Sequence, residues 1–265
     1  MGLFRHRAAP APASLVFTLD QAGHTYDDGT IGLGPTTLTI AERRTAVIGL
    51  NGSGKSTLLG LLDGTLAATC GRVALAAADG GETLDPSVKR DVKRIDAIVG
   101  RVRREEVPNS FRRAANVSEA VDATLKRLGV PEAERQARIG AVFAHFDLTT
   151  SARRHVDELD SEHRHLLAIA AALAKAPAAV VADEPTKGLD EVGSARVARA
   201  LFSYDRQVVF ATHDTALIQR PEYAVDRALL LDSGRVVFDG TPAETAARYE
   251  ELVRRRFEQA RAARG

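Results

Sequence analysis

Polar and apolar positions along the chain divide it into short runs of two periods. Nine runs are short, apolar and rich in β-branched residues: 14–19 (SLVFTL), 36–40 (TTLTI), 45–49 (TAVIG), 71–75 (GRVAL), 97–100 (AIVG), 178–182 (AAVVA), 207–211 (QVVFA), 228–232 (ALLLD) and 235–239 (RVVFD). That composition between turn residues predicts strands. The last two form a hairpin with its turn at Asp232–Gly234. Other stretches carry the helical period. One helix starts at Lys55 and meets a stop glycine at Gly64. Residues 116–129 and 131–146 read as two amphipathic helices, Pro131 suiting the first turn of the second. Residues 158–177 (ELDSEHRHLLAIAAALAKAP) join a charged first half to a buried helix. Further helices are expected over 191–203 and, strongly charged, toward the end.

Strands alternating with helices predict an α/β fold around a largely parallel sheet. The early strands have no helices between them, so an antiparallel β portion flanks that sheet. Residues 95–160 are helix-rich and read as an inserted helical subdomain. Residues 1–13 read as a flexible basic arm and 251–265 as a charged C-terminal helix.

Composition adds exclusions. Of 265 residues, 45% are hydrophobic and 27% charged, with net charge +1. Whole-molecule attraction to nucleic acid is therefore not expected. Cys70, the single cysteine, fits a reducing compartment. No apolar run reaches the roughly 18 residues of a membrane span, and the start has no apolar stretch suited to a signal peptide. Residues 89–113 hold nine Lys/Arg against four acids. That excess suits a solvated face, or a docking surface for a membrane subunit or anionic headgroups.

Three strand ends carry candidate chemistry. Gly49-Leu50-Asn51-Gly52-Ser53-Gly54-Lys55-Ser56-Thr57 matches G-x-x-x-x-G-K-[ST] between a strand and a helix. Its glycines let backbone N–H groups close on phosphate oxygens, and the helix adds its positive dipole end. Lys55 is placed for the β/γ-phosphates and Ser56 for Mg²⁺. Asp183 and Glu184 end a buried strand, where open α/β sheets bind ligands. Asp183 suits Mg²⁺, directly or through water. Glu184 suits orienting or deprotonating a water. His213 ends a third strand, placed to hydrogen-bond a γ-phosphate oxygen as a neutral imidazole.

Taken together, these motifs resemble the ATP-binding subunit of an ABC transporter over about residues 14–250. The resemblance implies a P-loop NTPase core of ABC ATPase type that binds ATP and Mg²⁺. It makes Tyr26 the aromatic that stacks on adenine and Gly49–Thr57 the Walker A motif. Glu184 becomes the catalytic carboxylate of Walker B, Asp190 the D-loop aspartate and His213 the switch histidine. It further implies a homodimer or a heterodimer with another ABC ATPase. A separate transmembrane subunit would hold the dimer at the inner face of the cell membrane, in the cytoplasm. Tyr26, the short helical insertion and the ending FDGTPAETAARYEEL look most like energy-coupling-factor importers of vitamins or metal ions.

Two positions depart from that pattern. Leu159-Asp160-Ser161-Glu162-His163 stands where the family reads LSGGQ, the segment that caps ATP held by the opposite subunit. Asp160 or Ser161 suits the helix N-cap, and a carboxylate there would take up N–H groups that a phosphate otherwise uses. Arg104 falls where the family has a metal-sensing glutamine, and a guanidinium cannot ligate a cation. These departures leave two alternatives: a nucleotide-binding regulatory module with little turnover, or a soluble non-transport ABC ATPase.

Overall fold

The computed structural model describes residues 14–103, 107 and 109–262. The basic arm and Arg104 lie outside the described residues. Each of the nine apolar runs gives rise to a strand: β1 (Leu15–Thr25), β2 (Ile31–Ile40), β3 (Arg44–Gly49), β4 (Cys70–Ala77), β5 (Val99–Arg103), β6 (Ala179–Asp183), β7 (Gln207–Thr212), β8 (Arg227–Asp232) and β9 (Arg235–Gly240). The helices are α1 (Lys55–Leu62), α2 (Lys89–Ile98), α3 (Val117–Arg127), α4 (Glu132–His145), α5 (Ser161–Ala174), α6 (Glu191–Phe202), α7 (Thr215–Ile218) and α8 (Pro242–Ala262).

The run at 97–100 is corrected. Its first half closes α2, and the strand begins only at Val99. No glycine or proline marks the switch, so periodicity alone could not place it. Six of the ten residues of α2 are charged, and only Asp91 and Ile95 are buried. Its apolar stripe is short, Val92, Ile95 and Ile98, and the charges on either side mask it.

Strands β5, β6, β7, β3 and β8 lie side by side and parallel, and β9 closes the edge antiparallel through the β8–β9 hairpin. The hairpin turn uses Ser233 and Gly234, both at positive φ, as a right-twisting two-residue turn requires. A second, antiparallel sheet has the order β2-β1-β4.

Pleating sorts the core. Ala46, Ile48, Val180, Ala182, Val208, Phe210, Ala228 and Leu230 face a core shared with α3, α4, α5 and α6. Val47, Ala179, Val181, Val209, Ala211, Leu229 and Leu231 face the opposite core, built with α1 and the antiparallel sheet. A sheet covered on both faces needs apolar residues at every position, which is why these strands read as unbroken runs. Arg44 is an exception on β3. It is 6% exposed, and its guanidinium donates to the carbonyls of Phe202 and Tyr223. Burial holds its pKa below the ordinary value.

Candidate functional site

The carboxyl ends of β6, β7 and β3 are neighbours, in that order. Gly49, Asp183 and His213 therefore converge although sequence separates them widely. The phosphate loop runs from β3 into α1. Gly54 is the N-cap of α1, with φ 102° and no side-chain cap, and the first turn has no acid. By contrast, Asn116, Asp160, Asp190 and Asp214 each accept a backbone N–H and so cap α3, α5, α6 and α7. The first N–H groups and positive dipole end of α1 are thus left for an anion. A Cβ at Gly54 would lie 2.5 Å from the Gly32 carbonyl oxygen. We expect Gly54→Ala to lose about 1–3 kcal/mol of stability and to weaken ATP binding. Urea denaturation and titration with a fluorescent ATP analogue check this; unchanged binding would sink the cradle geometry.

Lys55 is buried and folds back on the loop. Its ammonium donates to the carbonyls of Gly49 at 2.7 Å and Leu50 at 3.0 Å. It also lies 3.8 Å from Glu184 Oε1. Glu184 is 4% exposed and has φ +49°, uncommon for a residue with a side chain. Its N–H donates to Ala211 O, which pins the peptide to β7. The carboxylate thereby reaches Lys55 on one side and His213 Nδ1, at 2.8 Å, on the other. An outlier of this kind, held by its surroundings, points to function.

Asp183 ends β6, and its Oδ1 is buried with no hydrogen-bond partner among the described residues. Ser56 is exposed in the first turn of α1. A buried orphan carboxylate oxygen and a nearby hydroxyl suit a hydrated Mg²⁺, which takes few protein ligands and keeps waters and phosphate oxygens.

A cleft of about 390 Å³ collects Tyr26, Asn51, Gly52, Ser53, Gly54, Lys55, Ser56, Thr57, Asp183 and Glu184. Tyr26 hydrogen-bonds Thr57 Oγ1 at 2.9 Å and is 39% exposed, so its ring stands at the mouth. Gly49 and Leu50 contribute carbonyls to Lys55 rather than lining. His213 and Asp190 lie outside the lining: His213 acts on the cleft through Glu184, and Asp190 caps α6 by accepting Gly193 N–H at 2.7 Å. Sequence reasoning missed Thr30, Ile31, Gly32 and Lys187 in the lining. Lys187, three residues after Glu184, is the one a reader of the motif had a charge signal for. The β1–β2 residues had none, because their sheet packs onto the loop only in three dimensions.

A phosphate loop on β3, an acidic pair on β6 and a histidine after β7 define a P-loop nucleotide-binding α/β protein. Residues 34–187 match the protein family described as ABC transporter. The chain is 35% identical over 235 residues to an ABC transporter ATP-binding protein of Deinococcus radiodurans, covering 89% of this chain and 97% of that one. It is 33% identical over 223 residues to the biotin transport ATP-binding protein BioM of Rhizobium etli, covering 84% and 93%. Among solved structures it superposes on CbiO1 of Clostridium perfringens, described as part of the ABC transporter complex CbiONQ, with TM-score 0.73, 25% identity and coverage of 90% and 93%. The chain belongs to the ABC transporter family. It is an ATP-binding subunit whose ATPase activity is coupled to transport.

Proposed function

We propose that this chain hydrolyses ATP in its Lys55–Glu184–His213 cleft to drive import of a small solute through a separate membrane subunit. The observation that carries the reading is the convergence of those three side chains at adjacent strand ends. The similarity to a biotin transport protein and to a CbiONQ component supports import of a vitamin or metal ion. Such a subunit works at the cytoplasmic face of the membrane.

Lys55 would exchange the loop carbonyls for β/γ-phosphate oxygens. Tyr26 offers its exposed ring to the base. Asp183 and Ser56 would hold Mg²⁺, which when bound supplies positive charge to the β- and γ-phosphates. With Lys55 drawn to phosphate, Glu184 is released to orient a water and accept its proton. His213 is more constrained than a neutral donor. Its Nδ1–H is given to Glu184, so Nε2 of a neutral ring is an acceptor. Donation to a γ-phosphate oxygen needs a cationic ring or a change of tautomer that lets go of Glu184.

Two such chains, or this chain and a paralogue, would close head to tail, each presenting the start of α5 to the other's ATP. Here the crowded segment is folded back on its own chain. Asp160 caps α5, accepting His163 N–H at 2.8 Å and holding the His163 ring at 2.8 Å. The backbone N–H of His163 is foremost in holding the Asp160 carboxyl below its ordinary pKa. The cap therefore contributes at neutral pH and is lost only in acid, below about pH 4. Glu162 is paired with Arg196 on α6 at 2.8 Å. This cap favours a second reading, weak turnover in a homodimer and strong turnover only beside a partner with an open segment. Replacing Asp160-Ser161-Glu162-His163 with Ser-Gly-Gly-Gln decides between them. We expect turnover to rise and stability to fall by about 1 kcal/mol, because the new serine can still cap α5 while two glycines enter its first turn. A fall in turnover would make the native segment a competent closure in its own right.

The overall test is steady-state ATP hydrolysis by the chain alone and with its membrane subunit. Background rates in both would end the motor reading.

A further inference from the structure

The turn of the β8–β9 hairpin lies against the phosphate loop. Gly234 N–H donates to the Ser53 carbonyl at 3.0 Å, and the Gly234 carbonyl accepts from Gly34 N–H of β2 at 2.8 Å. A Cβ on Gly54 would come within 3.3 Å of Gly234 Cα. The turn is thus wedged, backbone on backbone, between the loop and the antiparallel sheet. Neither Ser233 nor Gly234 lines the nucleotide cleft.

The bond to Ser53 orients a peptide that the cleft uses. The Ser53–Gly54 unit is planar and trans, so its C=O and N–H point in opposite directions. With the Ser53 carbonyl turned to Gly234, the Gly54 N–H points away from the turn. Gly54 lines the cleft and is the N-cap of α1, where free N–H groups meet an anion. A turn that slipped would let this peptide rotate and set a carbonyl where a donor is needed.

What grips the turn comes from α8. Arg256 Nη2 donates to Asp232 Oδ1 at 2.8 Å, to Asp232 Oδ2 at 2.9 Å and to Ser233 Oγ at 2.9 Å. These charge-assisted bonds hold both residues that precede Gly234. Thr245, Tyr249, Leu252 and Arg256 share one face of α8. Thr245 Oγ1 donates to Ala228 O of β8 at 3.0 Å, and Tyr249 and Leu252 pack on the core. Burial first, and then the charge of Glu184, raise the Tyr249 phenol pKa. That face of α8 therefore comes within electrostatic reach of the Glu184 carboxylate. Arg255, next in the chain, pairs instead with Glu251 of its own helix.

We propose that Arg256 is a positioning residue of the nucleotide site: by clamping Asp232 and Ser233 it holds Gly234 against Ser53 and keeps the Gly54 N–H directed at phosphate. Arg256 does not itself line the cleft. The inference rests on ATP binding alone, not on hydrolysis or import.

The test measures the affinity of the full chain for a fluorescent ATP analogue, with urea denaturation beside it. The Arg256 side chain is 48% exposed, and exposed pairs add little to global stability. The urea midpoint of Arg256→Ala should therefore match the parent. Its affinity should fall about fivefold, the upper end of what such a pair supplies. One nitrogen makes all three contacts, so an ammonium can stand in for it; Arg256→Lys should bind within about twofold of the parent. Arg255→Ala removes the same charge from the same helix and should leave affinity unchanged. Asp232→Asn should weaken binding, and Arg256→Ala/Asp232→Asn should bind no more weakly than Arg256→Ala, because both break one contact. In turnover, KM for ATP should rise while kcat holds. Parental affinity in Arg256→Ala overturns the assignment, as do additive losses in the double variant. Equal losses in Arg256→Ala and Arg255→Ala also overturn it, making α8 a general support. Binding is read without turnover, so a chain that fails to drive import leaves this result standing.

Discussion

Glu184→Gln should cut steady-state ATP turnover by about 10²- to 10⁴-fold, the range a positioned general base contributes, while ATP binding survives. Glutamine keeps the volume and one acceptor oxygen but cannot take a proton. The site around it predicts more than loss of rate. Glu184 is held between the Lys55 ammonium and the His213 ring. Neutralising it frees Lys55 from a competing carboxylate, so affinity for ATP should hold or rise. If closure needs ATP and opening needs hydrolysis, the variant accumulates as an ATP-bound dimer. Light scattering coupled to size exclusion, with and without ATP, reads this out. Parental turnover would show that another group serves as base. Lost ATP binding would show that Glu184 shapes the cleft instead of acting in it.

Lys55→Ala should abolish measurable ATP binding, a loss of at least about 100-fold, comparable to removing a central donor from a preorganised anion site. It should also destabilise the fold. Lys55 and Glu184 are both almost fully buried, and removing one member of a buried ion pair leaves the other uncompensated at a cost of about 3–5 kcal/mol. His213 remains beside Glu184 and should soften that cost. The double variant Lys55→Ala/Glu184→Gln separates the two effects. It should recover much of the stability while leaving ATP unbound, because the pair couples in folding but only Lys55 is aimed at phosphate. If the double variant melts no higher than Lys55→Ala, the buried pair is not what holds this part of the structure.

The strands of the parallel sheet were legible because both of its faces are covered. That burial forces continuous apolar runs such as 178–182 and 207–211, and such runs are hard to mistake. The phosphate loop was legible because glycine, lysine and hydroxyl types are needed at set spacing within one local turn. α2 was not, since its six charged residues hide a helix that a single buried isoleucine anchors. Arg44 was not, since nothing beside it in sequence announces the Phe202 and Tyr223 carbonyls that it serves.

The segment 159–163 shows the same division. Its departure from the family's glycines is visible in the letters, and so is the suspicion that a carboxylate caps the helix. Whether Asp160 or Ser161 does so was open, and Asp160 is the one. That Glu162 turns to Arg196 is a fact of α5 lying against α6, 34 residues on in the chain.

By itself the sequence determined the local chemistry: a phosphate loop, an acidic pair at a strand end, a histidine after another, and a crowded α5 start. Those depend on residue type and short spacing, which a linear string records. Only the tertiary structure decided that β7 lies between β6 and β3, so that Glu184 shares its carboxylate between Lys55 and His213. Only it brought Arg256 of α8 onto the turn that braces the phosphate loop. Strand order and helix packing are set by the sum of many weak apolar contacts between distant segments, and no single stretch of sequence carries that sum.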